Sequence, residues 1–365
     1  MIDESTDIQS IFPSAQFNIV SRQSEHTIQA LPFLCRKVFS CKQRWIGRSL
    51  SQVFRDEFAW NLIPEIHVVN LRLKDVHEDI DYGLNCEDEM ILLLRNQKES
   101  CSVSEILENG DKIFFNRFIV EPEINLTDLP YVIYEDDSLI AAYKPHALPT
   151  LQQGTFLRTN LYSILQGVLS KRTNGSTHYL QPLNRLDRCT AGIVVFARSA
   201  EVYEEAEVSG KVYIAMVSDS EGNIPNRPFQ VTKRLHVEKH VSDQVLRTVV
   251  DETFGVEAHT KFSRRLLIGD KRALVLCRPV TGRTHQIRAH LASVGLAIVD
   301  DNLYDNSESF GSLKSQPERI KLAALRYIIK LKGSEYEFKL SRFPNWASSI
   351  NFADVSDLIN DLDIC

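Results

Sequence analysis

Three segments of the 365-residue chain hold side chains whose types and spacing could do chemistry. In the first, Leu183-Asn184-Arg185-Leu186-Asp187-Arg188-Cys189-Thr190-Ala191-Gly192, one carboxylate lies between two arginines, just ahead of an apolar run, Ile193–Ala197, that reads as a strand. Asp187 is thereby placed on a loop held by a rigid element, where binding and catalytic groups concentrate. Neighbouring guanidinium groups favour an ionised carboxylate, and an anion so placed can attack an electrophilic carbon. A purely structural ion pair is the other reading of the same residues. The second segment, Lys211-Val212-Tyr213-Ile214-Ala215, sets Tyr213 on a strand beside a cation. The third, Thr281-Gly282-Arg283-Thr284-His285-Gln286-Ile287-Arg288-Ala289-His290, puts Arg283 at a glycine turn that opens a helix.

In this order the three segments resemble the motifs of the RluA family of RNA pseudouridine synthases. Glu135-Asp136 with Lys144-Pro145 is similar to that family's opening strands, and Gly295, Asp301 and Tyr304 to the end of its third motif. The resemblance covers roughly residues 131–345 and implies isomerisation of a uridine to pseudouridine in transfer or ribosomal RNA, with neither cofactor nor metal. It also implies an α+β fold, a mixed, mainly antiparallel sheet with flanking helices. Asp187 would be the nucleophile, acting on the sugar or on the base, and Tyr213 would stack on the uracil and is the candidate acceptor of its carbon-5 proton. Arg283 would pair with Asp187, and Arg185 would fill the space left by a flipped nucleotide. Asn184, Thr190, Thr284, His285, Gln286 and Arg288 would complete the substrate-binding set.

The residues fit that chemistry physically. Hydrolysis of a glycosidic bond needs two carboxylates, but here the departing base is kept and rejoined, so one can suffice. A base inside a helix is out of reach and must be flipped into a pocket, for which an aromatic platform and guanidinium groups are a natural lining. Departures from the family's pattern mark a divergent member: Asn184 stands where His is usual, Ala191 for Ser, Ala147 and Asp300 for Gly, and Ala297 for Pro. Asn184 cannot titrate near neutrality, and a non-catalytic RNA-binding or RNA-folding protein on the same scaffold is the first alternative. A metal-dependent hydrolase using Asp187, Asp300 and Asp301 is the second.

The elements that must position these groups are legible in outline. Tyr131–Tyr134 and Leu139–Tyr143 around Glu135-Asp136-Asp137-Ser138 read as a hairpin, and further strands are expected at 192–197, 211–217 and 273–277. Ile287, Leu291 and Val294 at i, i+4, i+7 predict a helix of about three turns, with Thr284 as N-cap and Gly295 as its stop. Leu50, Val53, Phe54 and Phe58 recur at helical spacing, Ile66–Leu71 and Lys112–Phe115 read as strands, and the acid-rich stretch Asp75–Glu89 reads as an exposed insertion. Residues 1–30 show no sustained period and read as an arm. The expected organisation is a small mixed domain over 1–130, a catalytic domain over 131–345, and an acidic C-terminal tail over 346–365. Ser49–Val69 with Asn109-Gly110-Asp111-Lys112-Ile113 resembles the small RNA-binding domain first recognised in a ribosomal small-subunit protein.

Composition narrows the classes. Disordered and low-complexity readings fail on 43% hydrophobic residues with few Gly and Pro. No apolar run approaches the ~18 residues of a membrane span. Seven cysteines with no CxxC pair argue against a disulfide framework and a zinc ribbon, fitting a reducing, intracellular address such as the cytoplasm. His236 and His240 lack a third ligand, and Trp45, Trp60 and Trp346 read as core anchors. The net charge of −6 is uneven: residues 1–130 hold 13 Lys/Arg against 21 Asp/Glu, whereas Gly255–His290 holds eight basic and two acidic residues. The rear stretch suits phosphates and the acidic front a protein partner. A monomer is expected.

Overall fold

The computed structural model describes residues 17–22, 25–31, 33–58, 90–95, 98–100, 104, 106–218, 225–239, 246–268, 271–304, 318–348 and 350–364. They fall into two compact units, Ala30–Glu121 and a larger one formed by Met1–Gln29 with Pro122–Cys365.

The larger unit is built on one twelve-stranded sheet. In chain order it runs β1 (Tyr131–Glu135), β2 (Leu139–Lys144), α1 (Leu161–Arg172), β3 (Gln181–Pro182), β4 (Ala191–Ala197), α2 (Ala200–Glu205), β5 (Glu207–Ser218), β6 (Phe229–Lys239), β7 (Leu246–Val250), β8 (Val256–Phe262), β9 (Leu266–Leu267), β10 (Arg272–Pro279), α3 (Gln286–Ala292), β11 (Leu322–Leu331), β12 (Ser334–Lys339) and α4 (Phe352–Ile364). The strand order is β7-β6-β8-β10-β5-β11-β4-β2-β1, with β3 beside β4, β9 beside β10 and β12 beside β11. Among the described pairings only β4 with β11 is parallel, so the sheet is mixed and mainly antiparallel, as expected.

The central strands explain themselves. Every residue of β2 and β4 is buried, which is why both read as nearly continuous apolar runs rather than alternating ones. Asp136 closes the β1–β2 turn by accepting from the backbone N–H groups of Ser138 and Leu139 at 2.8 and 2.7 Å. At Gly192, the first full register position of β4 against β2, φ is +122° and a Cβ would overlap the backbone of Ala324 on β11. Only glycine lets the end of the Asp187 loop approach that strand. The first N–H groups of α1, from Leu161 and Tyr162, donate to Pro149 O and Thr150 O at 2.9 and 3.1 Å, and the helix is capped by the Asn160 side chain accepting from Ser163 N at 2.9 Å and buries Leu161, Ile164, Leu165, Val168 and Leu169.

Four expectations change. Part of the expected arm is sheet: Phe17–Arg22 and Glu25–Ala30 form a three-stranded sheet with Ile124–Leu126. The boundary near 130 gives way to a unit spanning Ala30–Glu121. The acidic tail contains a helix, α4, because Val355, Leu358 and Leu362 recur at helical spacing and are buried against the sheet. The helix after Arg283 begins one residue later than Thr284 predicts and runs seven residues. His285 is its N-cap in a left-handed conformation, with no side-chain capping bond.

The smaller unit has a four-stranded sheet, in the order Phe33–Ser40, Lys112–Ile119, Met90–Arg95, Lys98–Ser100. Its core joins Trp45 and Leu107 to Leu50, Val53 and Phe54 of the helix Leu50–Phe58, with Ile113 from the sheet. Trp60, His240, the strand expected at Ile66–Leu71 and the acidic stretch Asp75–Glu89 lie outside the described residues.

Candidate active site

Asp187 lies on the loop between β3 and β4, and that loop is clamped one carbonyl at a time. Leu186 O accepts from Thr150 Oγ1 at 2.9 Å, Asp187 O from Thr190 N at 3.0 Å, Arg188 O from Lys144 Nζ at 3.3 Å, and Cys189 O from both Ile320 N at 3.2 Å and His146 Nδ1 at 2.8 Å. The segment from Lys144 to Thr150 therefore splints the loop. Lys144 is fully buried and also donates to Pro145 O and Leu148 O at 2.9 and 2.7 Å, and burial pushes its pKa down to about 7. His146 accepts from Trp346 Nε1 on its Nε2 at 3.2 Å, so its Nδ1 carries the proton that Cys189 O receives. Burial, first among the causes, holds His146 down at about 4, which keeps it neutral. Trp346 thus works as a tether rather than as a core anchor, and no sequence signal pointed to His146 or Trp346.

The carboxylate itself is open to a cleft of about 880 Å3 lined by the Asp187 loop, Lys211 and Tyr213 of β5, Tyr327 of β11 and the residues from Thr281 to Arg288. Asp187 Oδ2 is 3.7 Å from both His285 Nε2 and Arg288 Nη1. Arg288 is 1% exposed and grips the fully buried Asp301 bidentately, Nε to Oδ2 at 2.7 Å and Nη2 to Oδ1 at 2.8 Å, with the Tyr304 ring 4.9 Å from its guanidinium carbon. Its third nitrogen, Nη1, has no hydrogen-bond partner among the described residues and is the one that faces Asp187. His285 is held from behind: Tyr304 Oη accepts from Thr248 N at 2.8 Å and meets His285 Nδ1 at 3.1 Å. With the phenol proton given to Nδ1, Nε2–H points at Asp187. Burial, reinforced by Arg288, pushes His285 down to about 4, so it meets Asp187 as a neutral donor.

This corrects the expected pairing. The Arg283 side chain is exposed and donates from Nε to Glu257 O at 3.3 Å, while Arg288, five residues on and inside the first turns of α3, faces Asp187. The cause is local: Gln286 Oε1 accepts from Arg283 N at 3.0 Å and Thr281 Oγ1 at 2.7 Å, and its Nε2 donates to His259 O and Thr260 Oγ1 at 3.0 and 2.9 Å. The turn is thereby pinned along β8, and Arg283 is carried outward. Gln286 is consequently a clasp with its amide fully engaged, and Thr284 offers its carbonyl to Thr248 Oγ1 at 2.8 Å. Arg185 is exposed at the cleft, and Arg188 turns towards the Phe156 ring and Glu318. Thr190 is buried, with a hydroxyl lacking a partner among the described residues. Tyr213 is 8% exposed, and burial raises its pKa well above the ordinary value, so it enters the cleft as a neutral phenol.

The positions that departed from the family's pattern are accounted for locally. Asn184 donates to Ile193 O at 3.0 Å and accepts from Val195 N at 2.9 Å, tying the loop's start to β4. Ala147 and Asp300, where glycine is usual, adopt φ of 65° and 66°, the left-handed region that favours glycine. Asp300 pairs with Lys321 at 3.1 Å, and both oxygens of Asp301 are taken by Arg288. Neither carboxylate is therefore positioned as a free metal ligand.

The family model described as RNA pseudouridylate synthase matches residues 138–293, which hold β2 through α3 and every group facing Asp187. These residues belong to that family. A mitochondrial tRNA pseudouridine(32) synthase of Saccharomyces cerevisiae is 29% identical over 281 residues, covering 74% of this chain and 54% of that protein. RNA pseudouridine synthase 7 of Oryza sativa subsp. japonica is 29% identical over 307 residues, covering 80% and 69%. Pseudouridylate synthase RPUSD2 of Mus musculus is 29% identical over 286 residues, covering 76% and 45%. The chain spans about half the length of the first and third of these relatives.

Two outcomes follow for the synthase region. Arg288→Ala leaves Asp301 as an unpaired buried charge and is expected to cost about 3–5 kcal/mol in urea unfolding, whereas Arg283→Ala at an exposed turn is expected to stay within about 0.5 kcal/mol. His146 and His285 are held at about 4 in the folded protein against an ordinary 6.5. Each therefore contributes stability that is complete above pH 6.5 and lost as pH falls from 6.5 towards 4. The urea midpoint is expected to decline across that window, and less steeply in His146→Gln.

Proposed function

We propose that this chain converts uridine to pseudouridine in a structured RNA, with Asp187 as the nucleophile. The observation that carries the reading is a single carboxylate, 35% exposed in a nucleotide-sized cleft, with the guanidinium of Arg288 and the neutral imidazole of His285 each 3.7 Å from the same oxygen. Both donors are fixed from behind and keep the carboxylate oxygen aimed without reorganisation while its charge is given up in attack and returned on release. The target base, flipped out of its helix, lies against Tyr213, while Arg185 and Arg283 at the rim meet the backbone phosphates or the vacated stack.

In this reading Asp187 bonds to ribose carbon 1 as that carbon's bond to uracil N1 breaks, the base stays in the cleft and turns, and carbon 5 joins the ribose as the bond to Asp187 breaks. The carbon-5 proton leaves to solvent and N1 takes one up, so the product is an isomer. Exclusion of water while the base is detached is what separates this outcome from hydrolysis. Transfer RNA is the first substrate to try, supported by the name of the yeast mitochondrial relative. Purified protein in excess chelator, incubated with unmodified transfer RNA, is expected to yield pseudouridine by nucleoside chromatography. Asp187→Asn should form none while binding the RNA and unfolding in urea like the wild type. Product from the variant overturns the assignment of Asp187, and RNA binding without product from the wild type favours the non-catalytic scaffold.

A further inference from the structure

Tyr327 is 1% exposed, yet it lines the cleft beside Asp187 and Tyr213. It sits on β11 opposite Lys211, and a bulge between Val212 and Tyr213 shifts the next pairing so that Tyr213 faces Ala324. Bulges of this kind re-aim side chains, and here the two tyrosine rings meet edge-on, with centroids 6.2 Å apart and planes at 69°. Their hydroxyls share a hydrogen bond.

Burial settles the direction. The proton of Tyr327, in a fully buried setting, has Tyr213 Oη as its one acceptor among the described residues. A buried donor left unmade is costly, so Tyr327 donates to Tyr213, and the proton of Tyr213 is turned towards the cleft.

We propose that Tyr327 is a positioning residue that fixes Tyr213 as a hydrogen-bond donor towards the substrate beside Asp187. The inference rests on the uridine-isomerising reading of the cleft.

The test is a double-substitution cycle with Tyr213→Phe and Tyr327→Phe, read in two ways. In single turnover on transfer RNA, Tyr327→Phe is expected to slow product formation about tenfold with RNA affinity unchanged within about twofold. Added to Tyr213→Phe, it should change the rate less than about twofold, because the hydroxyl it positions is already gone. In urea unfolding, the double variant should lose less than the sum of the two single losses, whether or not the RNA offered is a substrate. A wild-type rate in Tyr327→Phe, an equal slowing in both backgrounds, or strictly additive unfolding losses each overturn the inference. Absence of product from the wild type counts instead against the isomerase reading, and the unfolding cycle then decides the hydroxyl pair on its own.

Discussion

The buried ion pair between Arg288 and Asp301 is the constraint on which the site depends. A guanidinium that is 1% exposed cannot stay inside the protein without a partner, and Asp301 supplies both of its oxygens. Because two of the three nitrogens are occupied in this way, the third has a fixed direction, and that direction is Asp187. The same pair fixes the first turns of α3 against the loop that carries Asp301 and Tyr304. Through Tyr304 it fixes His285 as well. Two donors that face one carboxylate oxygen from opposite ends of the α3 start are thus held by a single buried cluster.

The opposing half of the site is rigid for a different reason. Four consecutive carbonyls of the Asp187 loop accept hydrogen bonds, and three of these come from side chains between Lys144 and Thr150. These donors meet the backbone rather than the carboxylate, which leaves Asp187 open to the cleft. Tyr213 and Tyr327 form the remaining wall on neighbouring strands of the central sheet. The chemistry proposed needs a fixed anion and a flat surface for a base, and these come from the loop before β4 and from the paired strands β5 and β11.

The sequence disclosed most of this, unevenly. Strands β1, β2, β4, β5 and β10 were readable because their apolar runs and turn residues are local signals, and the Asp187 loop and Tyr213 could be named on motif order. The choice between Arg283 and Arg288 was not readable: both are arginines at a helix start, and only the clasp of Gln286 on β8 decides which one turns inward. Lys144, His146 and Trp346 act through contacts that span up to 200 residues, which no local pattern encodes. No local signal marked Tyr327, because its place at the cleft comes from the pairing of β11 with β5. The C-terminal helix could have been found, since Val355, Leu358 and Leu362 carry its period, but four aspartates in thirteen residues masked it.

The most direct single measurement is the single-turnover release of tritium from carbon 5 of labelled uridine in transfer RNA by Arg288→Lys beside the wild type. Lysine keeps the charge that Asp301 requires but cannot hold a carboxylate with two nitrogens and present a third. Expected is a folded variant that binds RNA within about twofold of the wild type and releases tritium about a hundredfold more slowly. Release at the wild-type rate would show that the guanidinium facing Asp187 does not serve the reaction, and would contradict the central role given to Arg288.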